Sequence, residues 1–178
     1  MKELVNSVMG YTMNNIMIEP LSEKEEHEIH SEVNLWTQTI EYSNKPGNLT
    51  RDLINRFNAW IDEYEHNIVE ASIRMEASPS PDANKLRHNL SDIIHQAGRN
   101  IYFVDSLQKE LKIVQTHFEP DQNKTLAKKD LDRFIEFCSQ TQGKLKEIIS
   151  TCVHKYHLID KHPGERQLLQ TRMAQNIH

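Results

Sequence analysis

Apolar residues along this chain recur at steps of three and four, the spacing that puts them on one face of a helix. The longest such run covers about residues 81–118: Leu86, Leu90, Ile93, Ala97, Ile101, Val104, Leu107, Leu111, Val114 and Phe118. A second run covers about 124–159, with Leu131, Phe134, Cys138, Thr141, Leu145, Ile148, Cys152 and Ile159. Two heptad-spaced helices of nearly equal length, separated by the short turn 119–123, predict a long antiparallel hairpin of roughly 50–60 Å at 1.5 Å per residue. Asn100 and Thr141 fall at seam positions, where polar groups often set register.

Shorter helices are expected before and after. Residues 2–19 form one, stopped by Pro20 and apolar on two faces: Leu4, Val8, Tyr11 and Ile18 on one, Val5, Met9, Met13 and Ile16 on the other. Ser22 and Glu25 have the spacing of a capping box, which starts a helix with the stripe Ile29, Val33, Trp36 and Ile40. Residues 43–48, SNKPGN, read as a loop. A helix over about 49–75 follows, with Leu53, Phe57, Trp60, Tyr64 and Ala71 as its core face, widened by Ile54, Ile61 and Ile68. Residues 77–84 read as a linker inside one domain spanning 1–178, and 163–176 as a short last helix carrying Leu169 and Met173. No strand pattern or repeat is visible. The expected fold is all-α: an elongated helical bundle of five or six helices.

Composition narrows the function classes. The net charge is −5 over 178 residues, with eight acids against three bases in residues 1–45 and balance thereafter. A general nucleic-acid binder needs a basic face, so that class is disfavoured. No stretch approaches the ~18 apolar residues of a membrane span. With two cysteines and no visible signal peptide, a reducing cytoplasm is expected, and delivery without a cleaved leader stays compatible. Ten histidines admit a pH-responsive surface, beside plain compositional drift.

Each candidate chemistry competes with a structural role. Cys138 and Cys152 are two heptads apart and share one seam position, so they read as buried core thiols about 21 Å apart along the helix. Glu63 and His66 have the Glu-x-x-His spacing of bundle metal sites, His66 and Glu70 a related one, and Asp92 and His95 repeat the first theme. His154, His157 and Asp160 add further donors, and His27/His30 a surface pair. The heptads place these histidines outward, His88 and His95 at the outermost position. The acid run 23–28 reads as first-turn charge favoured by the helix dipole.

RHNLSDII, residues 87–94, resembles the phospho-acceptor box of histidine kinases and related phosphotransferases. The resemblance rests on His88 and Leu90; Asn89 stands where that family has an acid, and Asp92 where an Asn or Thr is usual. It implies a relay protein with His88 as phospho-acceptor. The signatures of other catalytic sites are missing: no G-x-S-x-G, no H-E-x-x-H, no Gly-rich phosphate loop.

The expected function is therefore non-enzymatic binding of another protein, as adaptor, regulator, inhibitor or translocated effector, with no cofactor. Met9, Met13 and Met17, four apart, either pack in the core or form a flexible face suited to a partner, and homodimerisation through the hairpin fits as well. The alternatives are phosphotransfer through His88 and a metal site in the bundle core.

Overall fold

A computed structural model describes residues 20–43, 45–77, 83–118 and 125–159. These hold four α-helices: α1 (Glu23–Glu41), α2 (Pro46–Ala77), α3 (Ala83–Phe118) and α4 (Thr125–Leu158). No strand occurs among the described residues. The expected helices 2–19 and 163–176, the methionines Met9, Met13 and Met17, the turn 119–123 and the middle of the expected linker lie outside them.

Helices α1 and α2 start for local reasons. In α1 the Glu25 backbone N–H donates to Ser22 Oγ at 3.1 Å, and the Ser22 N–H donates to Glu25 Oε1 at 3.3 Å. That is the capping box the sequence announces. The loop expectation for 43–48 needs correction: helix α2 begins within it, at Pro46. Proline fits a first turn because its missing N–H would have no helical partner there. The turn is tied by Asn48 N–H donating to Lys45 O at 3.1 Å and Thr50 Oγ1 to Gly47 O at 3.1 Å. No acid lies in the first turn of α2. Asp130 of α4 supplies negative charge there instead, so close that a Cβ at Gly47 would meet its Oδ2 at 2.6 Å.

Helices α3 and α4 share the most extensive contact. They run in opposite directions: Gln108 pairs with Ser139 and Gln115 with Asp132. The heptad residues Leu86 through Val114 on α3, and Leu131 through Ile159 along α4, are buried. Helix α2 packs chiefly on α4 and α1 chiefly on α3. Contacts Glu25–His95, His30–Tyr102 and Glu41–His117 climb both helices together, so α1 and α3 are parallel.

This placement of α1 explains what the heptads omit. All eight residues from Ile101 to Gln108 are buried. One apolar stripe serves one neighbour, but α3 has neighbours on several sides. Tyr102, Asp105 and Ser106 are therefore covered as well.

Two stripe assignments are corrected. On α1, Thr37 rather than Trp36 completes the buried row with Ile29, Val33 and Ile40. Its hydroxyl is satisfied within the helix, donating to Val33 O at 2.7 Å, so the polar side chain can be buried. On α2, Ile61 and Ile68 lie in the core while Trp60 packs on its flank. Trp60 stacks on Phe57 at 5.0 Å and carries the Arg56 guanidinium over its outer face at 5.3 Å. A wide indole at a core edge keeps both its apolar contacts and a cationic cover.

Phe57 joins three helices. Its ring lies 6.4 Å from Phe103 on α3 and 5.9 Å and 6.4 Å from Phe134 and Phe137 on α4.

Candidate functional site

The polar seam positions behave differently from one another. Asn100 donates to Tyr64 Oη at 2.6 Å, which ties α3 to α2 rather than to α4. Burial pushes the Tyr64 phenol up to about 12. Thr141 Oγ1 is buried with no hydrogen-bond partner. The group that locks α3 to α4 is one the heptads did not flag. Gln108 Nε2 donates to Ile135 O at 2.9 Å and Ser139 Oγ at 2.6 Å, and its Oε1 accepts from Gln142 at 3.0 Å. The helical spacing could have hinted at it, since Gln108 lies four residues after Val104 and three before Leu111, both on the buried stripe.

The histidines divide by neighbour. His88 is exposed, with 74% of its side chain accessible, and its Nε2 lies 3.4 Å from Asp92 on the same helix. His66 is equally exposed and sits 3.4 Å from Glu70, again one turn away. His154 and His157 are exposed. His30, His117 and His95 instead have partners on the neighbouring helix, and the expected outermost position of His95 is corrected. His95 is half-buried, and its Nε2 donates to Glu25 Oε2 of α1 at 3.0 Å. The outer face of α3 is where α1 docks, so a position outermost for the α3–α4 pair is an interface for α1. The acid run 23–28 likewise does more than serve its own helix dipole: Arg99 lies 3.7 Å from both Glu25 and Glu28.

Among the described residues, no three His, Cys, Asp or Glu side chains come together as a metal-binding group. Glu63, Glu70 and Asp92 do border one crevice of about 600 Å³ between α2 and α3. Arg56, Arg74, Lys85 and Arg99 alternate with them there, and the Tyr64–Asn100 pair lies along it. Its charges are mixed and Arg56 is already held by Glu32 at 2.6 Å.

Cys138 and Cys152 are free thiols, both fully buried, and burial pushes each up to about 12. A nucleophilic cysteine needs the opposite, a stabilised thiolate at the surface.

A second groove, of about 760 Å³, runs between α2 and α4. Ile61, Ile68 and Ile148 form its floor and Val69 its rim. Val69 and Ile73, one turn apart on α2, are 55% and 58% exposed. Leu35, Tyr42 and Ile113 are the other large exposed apolar residues among those described, each on a different helix or helix end. No helix of the described residues is long and apolar enough to cross a membrane.

The chain matches no family model, and no curated protein or solved structure matches it either.

Proposed function

We propose that this protein is a non-enzymatic helical bundle that binds another protein, acting as adaptor, regulator, inhibitor or effector in a reducing, cytoplasmic setting. The observation that carries the reading is Val69, exposed at the rim of an apolar-floored groove, with the exposed Ile73 one turn further along α2. Large apolar side chains exposed beside a groove in a helical surface are what partner helices cover. In this reading residues 2–19 and 163–176 add a fifth and sixth helix, α3 and α4 are the arms of one hairpin, and 1–178 is one domain. Met9, Met13 and Met17 extend the partner-binding face, and the bundle also pairs with itself.

The test is affinity capture with the full chain beside a Val69→Asp/Ile73→Asp variant of matched helicity. A stoichiometric partner held by the first and lost by the second supports the reading. Capture of none by either bait overturns it.

A second reading, phosphotransfer through His88, is favoured by that side chain's exposure and its approach to Asp92. A nearby carboxylate can orient an imidazole and take up its proton. Acid-labile phosphate after incubation with phosphoramidate, absent in His88→Gln, would support it; equal labelling of both proteins would overturn it.

A further inference from the structure

The α2–α4 groove has a charge as well as an apolar floor. Asp62 and Glu65 border it from α2 and Glu147 from α4, against the one base Lys144 among its lining residues. The side chains around the floor thus carry a formal charge of −2 (three acids, one base). All four charged residues are exposed. The α2–α3 crevice, by contrast, mixes four bases with three acids and has polar walls.

Resting on the protein-binding reading above, we propose that this groove receives a basic amphipathic helix of a partner protein. Two helices packed side by side leave a furrow that a third helix fits, ridge into groove. Contacts of Phe57 with Phe134 and of Gly47 with Asp130 show α2 and α4 running in the same direction, so the furrow keeps its direction along both. From Asp62 to Ile73 the α2 edge rises roughly 17 Å at 1.5 Å per residue, about three turns of a docked helix. Its apolar face would cover Ile68, Val69, Ile73 and Ile148. Its Lys or Arg side chains would meet Asp62, Glu65 and Glu147, which steers approach and sets orientation. A second copy of this chain presenting the same groove would bring like charges together, which opposes an isologous dimer here.

The test uses the full chain and two labelled peptides of roughly five helical turns, read by fluorescence anisotropy. Both carry Leu at i, i+3, i+4 and i+7; one has Lys at the polar positions and the other Glu. Binding of the Lys peptide with rejection of the Glu peptide is expected. Asp62→Lys/Glu65→Lys should weaken the Lys peptide roughly tenfold, and Glu110→Lys, at an exposed position of α3, should leave it within about twofold. Equal weakening by both variants would mean general charge attraction and overturn the proposal. So would unchanged binding by the double variant. A concentration-dependent dimer abolished by Val69→Asp would assign the groove to a second copy and overturn it too. A partner captured by the full chain and kept by Asp62→Lys/Glu65→Lys would overturn this assignment while leaving the protein-binding reading standing.

Discussion

Glu25 and His95 lie seventy positions apart in sequence, yet the imidazole Nε2 donates to the carboxylate at 3.0 Å. Glu25 also closes the capping box of α1, so one side chain both starts that helix and fastens it to α3. Partial burial by itself would raise the Glu25 carboxyl. The hydrogen bonds from His95 and Ser22 and the His95 charge outweigh burial and hold it below the usual 4.5. A carboxyl depressed in the folded state is protonated more readily in the unfolded chain. Its stabilising contribution is therefore complete above pH 4.5 and is lost as pH falls through the lower folded value. Hydrogen exchange of the α1 amides, corrected for intrinsic rates, should lose protection over that acid range. Glu25→Gln should lose about 1 kcal/mol at neutral pH and flatten the acid response. An unaltered acid profile in the variant would remove Glu25 from the account.

Phe57→Ala should cost about 3–5 kcal/mol, because the ring is fully buried and its loss leaves a cavity facing α2, α3 and α4 at once. Urea unfolding followed by helical ellipticity measures it. Leu35→Ala, at a 65% exposed position, should shift stability by less than about 0.5 kcal/mol in the same assay.

Thr141→Val should leave stability unchanged or raise it by about 1 kcal/mol, since the buried hydroxyl it removes has no partner and the shape is kept. Gln108→Ala should act in the opposite direction, because it removes the bonds to Ile135 O and Ser139 Oγ and leaves the buried Gln142 amide without this partner. A loss of several kcal/mol in Thr141→Val would show that the hydroxyl is satisfied after all. Thermal melts of the two variants side by side give the comparison.

The thiols of Cys138 and Cys152 should be inert to a disulfide reagent at pH 8 in the native protein, because both are buried and both are pushed up to about 12. Adding denaturant should release two equivalents. Reaction of one thiol before the helical signal falls would reveal local opening of α4.

Helix positions on α3 and α4 were legible because a single repeat decides them: every heptad residue from Leu86 to Val114 is buried. The capping box was legible for the same reason, being local chemistry. What the pattern could not supply was which face of α3 would receive α1. That choice depends on residues far apart in sequence; it turned His95 from an expected outermost position into interface, and Tyr102 and Asp105, absent from the heptad stripe, are buried as well. Trp36 and Thr37 show the limit in small: hydropathy favours the indole, but Thr37 can take the buried place because its hydroxyl bonds to Val33 O. The candidate binding groove was less legible still. Val69 and Ile73 sit in an ordinary helical sequence, and their exposure depends on how α2 is turned against α4.

The parallel docking of α1 on α3 has a consequence for how the chain reaches this structure. Bonds between α3 and α4 span 17 to 34 positions, whereas those from α1 to α3 span 70 to 76. Closing the larger loops costs more entropy, and distant pairings slow folding. The α3–α4 pair is thus the natural nucleus, with α1 arriving late. During synthesis α1 leaves the ribosome first, yet its docking surface is incomplete until residue 117 has followed. For that interval the Ile29–Val33–Ile40 row stays wet, and whatever shields it then shapes the yield of folded protein.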